Sequence, residues 1–126
     1  MTAPPPRTVL VVDDERDSRD LAGELLAHAG YKVLYAANGL EAVNVASQWR
    51  VDLIVMDMMM PVMDGVTAIR RLKSDMLTAR IPILAVTGDA GNALKEAATT
   101  AGCDTYITKP INPVAFISLV QHWLRE

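Results

Sequence analysis

The apolar residues of this chain form two alternating kinds of segment. Short continuous runs rich in β-branched residues are typical of strands buried on both faces, and longer segments with apolar residues at helical spacing separate them. The runs predict strands at residues 9–12, 32–36, 53–56, 81–86 and 105–108. The intervening segments predict a helix that Gly30 closes, helices at 40–48, 66–73 and 90–101, and a last helix that begins at Pro113.

This alternation determines the fold class. Strands that alternate with helices predict a parallel sheet covered by helices on both faces, with right-handed crossovers. We therefore expect a doubly wound α/β fold. In such folds the ligand binds at the carboxyl ends of the strands, which is where chemistry should be sought.

Length and composition limit the classes of function. The chain has 126 residues, with 51% apolar and 21% charged residues, which predicts one globular domain. Residues 1–6 are predicted to be a disordered proline-rich lead-in and residues 7–126 the domain. A net charge of −3 argues against nucleic-acid binding. The sequence shows neither a membrane-spanning run nor a signal peptide, so we expect a soluble cytoplasmic protein without membrane contact.

Polar and charged residues follow four of the predicted strands. These residues are Asp13, Asp14 and Glu15 after strand one, Asp57 after strand three, Thr87 and Asp89 after strand four, and Lys109 after strand five. Each has an ordinary structural explanation, such as Asp14 as a helix N-cap. Together these residues place charge repeatedly at one edge of the sheet, which the separate explanations do not account for.

The cluster suggests phosphoryl chemistry. Close carboxylates repel one another and need a cation, and oxygen-only ligands suit a hard divalent ion such as Mg²⁺ or Mn²⁺. Lys109 adds a fixed positive charge, and Thr87 adds a hydroxyl donor. A carboxylate can attack phosphorus to give an acyl phosphate. The residues therefore predict a site that binds or accepts a phosphoryl group.

Four motifs, in order along the chain, resemble the response regulator receiver domain of two-component signalling. They are the segments at residues 11–15 (VVDDE), 56–65 (MDMMMPVMDG), 86–88 (VTG) and 106–110 (YITKP). The resemblance covers residues 7–124. It implies a flavodoxin-like three-layer sandwich with a five-stranded sheet in the order 2-1-3-4-5.

The resemblance assigns roles at the acidic end. Asp57 would accept the phosphoryl group from a histidine kinase or a histidine phosphotransferase. Asp14 and Asp57 would bind the metal directly, the backbone carbonyl of Met59 would be a third ligand, and Asp13 would act through a water. The protein would be a signalling phosphoacceptor rather than an enzyme, with self-catalysed phosphotransfer and slow autodephosphorylation.

The resemblance also implies a switch. Lys109 would pair with Asp57 at rest and with a phosphoryl oxygen afterwards, across a cis peptide bond to Pro110. Thr87 would move in to bind the phosphoryl group, and Tyr106 would change rotamer with it. The surface of helix four, strand five and helix five would then report to a downstream target protein, from a monomer or a phosphorylation-dependent dimer.

The resemblance implies two further roles, one in dephosphorylation and one in kinase docking. Met59 and Asp89, at positions that vary between family members, would flank the water that hydrolyses the acyl phosphate, and an apolar Met59 should screen that water. The exposed side of helix one, with Arg16, Arg19 and Asp20, is the side on which the family's kinases dock.

Three residues without a role in the phosphoryl chemistry are predicted to serve the fold. Asp64 is predicted to cap helix three, Met58 to lie in the loop at the rim, and Trp49 to be partly buried.

The sequence argues against the alternatives from other functional classes. A phosphatase of the dehalogenase type needs Asp-x-Asp after strand one, and a flavin carrier needs a hydroxyl- and glycine-rich first loop; neither is present. A phosphorylation-independent receiver-like scaffold usually lacks an acidic residue or the lysine. The remaining alternative is a receiver module excised from a hybrid histidine kinase or a larger response regulator. Otherwise five strand–helix units use nearly every residue, and no catalytic or DNA-binding appendage is expected.

Overall fold

The strands form one parallel sheet in the order β2-β1-β3-β4-β5, as expected. The computed structural model describes residues 5–60, 63–88 and 92–124. The elements are β1 (Thr8–Val12), α1 (Arg16–His28), β2 (Lys32–Ala36), α2 (Gly39–Gln48), β3 (Leu53–Asp57), α3 (Gly65–Ser74), β4 (Ile83–Thr87), α4 (Asn92–Ala101), β5 (Thr105–Thr108) and α5 (Pro113–Leu124).

Helices cover both faces of the sheet and separate the core into two halves. The central strands β1, β3 and β4 are buried along their whole length, as continuous apolar runs predict. One half of the core packs against α2, α3 and α4, and the other packs against α1 and α5. The edge strands β2 and β5 are only partly buried, since each has a single neighbour in the sheet.

Side-chain caps determine where three helices begin. Asn38 Oδ1 accepts the Glu41 N–H at 2.8 Å at the start of α2. Asp64 Oδ1 accepts the Thr67 N–H at 2.8 Å, which confirms the predicted cap of α3. Asn112 Oδ1 accepts the Ala115 N–H at 3.0 Å at the start of α5. Each oxygen satisfies an amide that the first helical turn leaves without a partner.

The start of β4 differs from the prediction by two residues. Strand β4 begins at Ile83 rather than at residue 81, because the Ile81 N–H is held in a turn by the Thr78 carbonyl at 3.1 Å. Pro82 has no N–H to donate to a sheet. Helix α4 is described from Asn92, so the first residues of the predicted helix, 90 and 91, lie outside the described residues.

Two predicted environments were wrong. Met58 is buried rather than at the rim, because its N–H bonds the Val86 carbonyl at 3.0 Å and its side chain packs into the core. Trp49 is exposed rather than partly buried, with 60% of its surface accessible at the end of α2. Among the described residues, no helix combines the length and apolar character needed to cross a bilayer.

Candidate acidic site at the sheet edge

The predicted acidic cluster assembles where β1 and β3 end. Asp57 is the last residue of β3, and Asp13 directly follows β1. Both carboxylates are buried, with 5% and 6% of their residue surfaces exposed. The two strands are neighbours in the sheet, so their carboxyl ends meet at one edge.

One lysine is shared between the two buried carboxylates. Lys109 Nζ lies 3.5 Å from Asp13 Oδ2 and 3.6 Å from Asp57 Oδ2. The other oxygen of each carboxylate accepts a backbone N–H two residues further on, from Glu15 at 2.9 Å and from Met59 at 3.0 Å. These bonds hold both side chains in a fixed orientation with one oxygen directed at the lysine.

Burial dominates the electrostatics of Asp57. The pKa of this carboxyl is raised from 3.8 to about 6, chiefly because burial removes water from around it and in smaller part because of the Asp13 charge. The Met59 N–H and the Lys109 ammonium lower the pKa but do not offset the burial. The site therefore carries more negative charge than its one lysine balances.

Asp14 completes a group of oxygen ligands that fits a hard divalent cation. One oxygen from each of Asp13, Asp14 and Asp57 lies within 4.8 Å of the others. Asp14 is exposed, so the group is open to water on one side, as Mg²⁺ sites usually are. Asp14 does not cap α1, since the N-cap residue is Glu15. Its structural alternative is therefore not realised.

Thr87 and Lys109 are joined through their backbones. Thr87 ends β4 and is buried, and its carbonyl accepts the Lys109 N–H at 2.7 Å. The peptide bond from Lys109 to Pro110 is cis, as predicted. The ends of β4 and β5 thus bring Thr87 and Lys109 to the edge of the sheet where the acidic cluster lies.

Tyr106 lies on the outer strand β5 with 43% of its surface exposed. Lys95 of α4 places its ammonium 4.8 Å from the centre of the ring, within cation–π range. The predicted switch tyrosine therefore contacts α4, the helix of the predicted reporting surface.

Met59 and Asp89 are the two residues predicted to flank the hydrolytic water. Met59 is 65% exposed at the rim, immediately beyond the N–H that binds Asp57. The prediction for Asp89 lies outside the described residues.

Two features of the site were not found from the sequence. A cavity of about 430 Å³ opens beside Asp13, Asp57 and Lys109 and has a largely apolar wall that includes Leu21. Arg19, assigned only to a docking side, donates from Nη1 to the Asp13 carbonyl at 3.1 Å and so holds the loop that carries the acids. The sequence around Arg19 gives no signal of this contact, because the contact depends on how α1 packs.

Comparisons with known proteins agree with this geometry. Residues 9–121 match the model of the response regulator receiver domain. The chain is 35% identical over 121 residues to the polar-differentiation response regulator DivK of Brucella anthropi, covering 96% of this chain and 98% of that protein.

Longer proteins contain similar domains. The chain is 38% identical over 120 residues to the phosphate regulon transcriptional regulatory protein PhoB of Pseudomonas aeruginosa, covering 95% of this chain and 52% of PhoB. The receiver domain of the sensor histidine kinase PA1611 of the same species superimposes with a TM-score of 0.90 at 30% identity, covering 96% of this chain and 99% of that one. That structure has a magnesium ion coordinated in its active-site cleft.

Proposed function

The chain belongs to the response regulator receiver family, the phosphoacceptor modules of two-component signalling, and from this we propose that Asp57 accepts a phosphoryl group from a histidine kinase or a histidine phosphotransferase. The observation that carries the proposal is the environment of Asp57. Its carboxylate is buried at a strand end, oriented by the Met59 N–H, 3.6 Å from the Lys109 ammonium, and open to a cavity.

The transfer is a displacement at phosphorus. An Asp57 oxygen forms a bond to the phosphorus of a phosphohistidine, and the phosphorus–nitrogen bond breaks with its electron pair returning to the imidazole. The product is an acyl phosphate on Asp57. Lys109 offers its ammonium to the phosphoryl oxygens, whose negative charge it offsets in the transition state.

Asp14 and Asp57 would hold Mg²⁺, or Mn²⁺, directly, with the Met59 carbonyl as a third ligand and Asp13 acting through a water. The three carboxylates fit such an ion because one oxygen of each lies within 4.8 Å of the others. Their total negative charge also exceeds the single positive charge of Lys109. When bound, the ion supplies positive charge that offsets the phosphoryl oxygens against these carboxylates. Asp13 and Asp57 remain oriented by their backbone N–H bonds throughout.

The signal would leave through the surface of α4, β5 and α5. Thr87 at the end of β4 supplies a hydroxyl that bonds the new phosphoryl group, and Tyr106 on the neighbouring strand β5 changes rotamer with it. Helix α4 is suited to move because its buried apolar side chains are the small Ala98 and Ala101, and the larger Leu94 is only partly buried. A downstream protein would bind the altered surface, with the domain acting as a monomer or a phosphorylation-dependent dimer in the cytoplasm.

A receiver module within a larger protein is the second candidate. It is supported by the match to PhoB, of which the chain spans about half, and by the likeness to the receiver domain of a sensor kinase. The chemistry at Asp57 is the same in either case.

The deciding experiment is labelling by a small phosphodonor such as acetyl phosphate in the presence of Mg²⁺. The expected result is a phosphoryl adduct, detected by intact mass, that Asp57→Asn abolishes. Asp64→Asn is the matched control, because asparagine also caps helices and Asp64 lies outside the cluster. A wild-type chain without an adduct, or an Asp57→Asn chain with undiminished labelling, would refute the proposal.

A further inference from the structure

A cavity of about 650 Å³ lies at the opposite edge of the sheet, where the strands begin. Its volume is in the range of small-molecule sites. Three segments of the chain line it: the segment before β1 with Arg7, the start of β2 with Lys32, and the loop after α2 with Trp49 and Arg50. It is remote from the acidic site, which lies at the carboxyl ends of the same strands.

The cavity is positively charged in a chain whose net charge is −3. It is lined by the three cations Arg7, Lys32 and Arg50 and by one carboxylate, Asp52. Asp52 Oδ2 is already bonded to the Thr8 N–H at 2.8 Å. Three cations against one carboxylate leave two positive charges, so the cavity attracts an anion.

The contact between Arg50 and Asp52 is long. Asp52 Oδ1 lies 3.9 Å from Arg7 Nη1 and 3.7 Å from Arg50 Nε, beyond ordinary hydrogen-bond length. The Arg50 side chain is 84% exposed. Its guanidinium can therefore turn to an incoming phosphate, which it matches with two parallel N–H donors, without breaking a strong bond.

Trp49 adds an aromatic surface to the same cavity. Its backbone is fixed at the end of α2, where its N–H bonds the Val45 carbonyl at 2.9 Å. Its side chain is nevertheless 60% exposed, whereas Trp123 is partly buried against the core. A flat ring that stacks on an exposed indole removes apolar surface from water, and nucleobases do this on aromatic side chains.

We propose that this cavity binds a nucleotide, with its phosphate held by Arg7, Lys32 and Arg50 and its base stacked on Trp49. An acidic peptide would satisfy the cations but would leave the indole in water. A nucleotide uses the charge and the aromatic ring together, and it is of a size that a single cavity holds.

The test is fluorescence titration of Trp49 in a Trp123→Phe background, which leaves one of the two tryptophans in the chain. The probes are adenosine monophosphate, adenosine and inorganic phosphate, with EDTA present so that no metal–nucleotide complex forms at the acidic site. The expected result is saturable quenching by adenosine monophosphate, with adenosine and phosphate each binding at least about tenfold more weakly, a difference of about 1.4 kcal/mol.

Substitutions inside and outside the cavity distinguish binding at this site from general electrostatic attraction of the nucleotide to the protein. Arg50→Glu is expected to weaken nucleotide binding by about tenfold or more, since it reverses a charge in the cavity. Arg80→Glu is the matched control, because Arg80 is an exposed arginine that does not line the cavity. Trp49→Ala, followed by calorimetry, is expected to reduce the affinity for the nucleotide to that for phosphate.

Four results would overturn the proposal. The first three are no saturable binding of adenosine monophosphate, equal affinity for the nucleotide and inorganic phosphate, and equal weakening by the Arg50 and Arg80 substitutions. An acidic peptide that binds the cavity as tightly as the nucleotide and is insensitive to Trp49→Ala would overturn it in favour of a protein partner.

Discussion

Lys109 Nζ lies 3.6 Å from Asp57 Oδ2, so the end of β5 is joined to the end of β3 across the intervening strand β4. The same ammonium is 3.5 Å from Asp13. One cation shared at these distances does not balance two buried carboxylates. Burial is the main cause of the raised pKa of Asp57, and the charge of Asp13 adds to it. The site is thus strained electrostatically at neutral pH, and this strain can be relieved by a proton, a metal ion or a substitution.

Asp57→Asn is expected to stabilise the metal-free protein at neutral pH. Burial raises the folded-state pKa of Asp57 from 3.8 to about 6, so folding favours the protonated form, and stability is lost as the pH rises through that value. Two pKa units correspond to roughly 2–3 kcal/mol, which the amide recovers because it carries no charge. Denaturant unfolding at pH 7 measures the gain.

The gain in stability of Asp57→Asn is expected to depend on pH. Well below pH 3.8 the Asp57 carboxyl is neutral in both the folded and the unfolded chain, so the advantage of the variant should disappear. Asp64→Asn in the exposed cap of α3 should show no comparable gain at pH 7. An Asp57→Asn protein no more stable than wild type at pH 7 would contradict the assignment of burial as the main cause.

Mg²⁺ affinity is expected to fall as the pH drops below about 6, the pKa of Asp57. A carboxyl must lose its proton to bind the metal, so each pH unit below the pKa costs about tenfold in affinity. Calorimetric titration across this range measures the slope. In Asp57→Asn the affinity should be low at every pH, and a wild-type affinity that is flat between pH 5 and 7 would refute the role of Asp57.

Met59→Asn is expected to shorten the lifetime of the acyl phosphate severalfold. The Met59 side chain is 65% exposed at the rim and offers no hydrogen bond to an attacking water, whereas an amide can orient one. Phosphate release from the phosphorylated protein measures the rate. Met76→Asn, at a 93% exposed position on the α3–β4 connection, is the control for the same substitution elsewhere. Equal or slower decay in the Met59 variant would count against the screening role.

Beryllofluoride, which mimics a phosphoryl group on a carboxylate, is expected to shift the NMR signals of Thr87, Tyr106 and α4. The contact between Lys95 and the Tyr106 ring, now 4.8 Å from the ring centre, should lengthen or break as the tyrosine changes rotamer. Signals from α2, which packs against β1 and β2 at the end of the sheet away from β5, serve as the internal reference. Changes confined to the acidic loop would mean that the switch does not reach β5.

The sequence determined most of the fold because its signals were local. Continuous β-branched runs identified β1 and β3, and Asp64 before an apolar-periodic segment identified the start of α3. The boundary of β4 was missed because the turn that holds Ile81 depends on Thr78, which no periodicity reveals. Trp49 was misassigned for a related reason: whether an indole at a helix end is covered depends on the segment that packs beside it.

The site was predictable in its residues but not in its energetics. The topology alone brings Asp13, Asp57 and Lys109 to one edge, so their proximity followed from the order of the elements. The sharing of a single lysine, the raised pKa of Asp57 and the support from Arg19 depend on distances of a few ångströms. Such distances are set by packing in three dimensions, not by spacing along the chain.

Lys73→Met is expected to destabilise the domain by about 2 kcal/mol, since hydrogen bonds that involve a charged group contribute more than neutral ones. Lys73 Nζ donates to the Ala79 and Ile81 carbonyls at 3.3 and 2.8 Å and to Asp104 Oδ2 at 3.0 Å. Its stem also packs beside Gly102, whose φ of +114° lets the chain turn out of α4. The lysine thus ties α3 to the chain between α4 and β5.

Denaturant unfolding of Lys73→Met beside Arg71→Met tests this tie. Arg71 lies in the same last turn of α3 but is exposed, so its substitution should change the free energy of unfolding by less than about 0.5 kcal/mol. Methionine keeps most of the apolar stem of lysine, so the difference between the variants reports the lost ammonium contacts and the Asp104 charge left without its cation. Equal stability of the two variants would contradict this prediction. It would show that water screens the contacts of the Lys73 ammonium, so that they add nothing measurable to the free energy of unfolding.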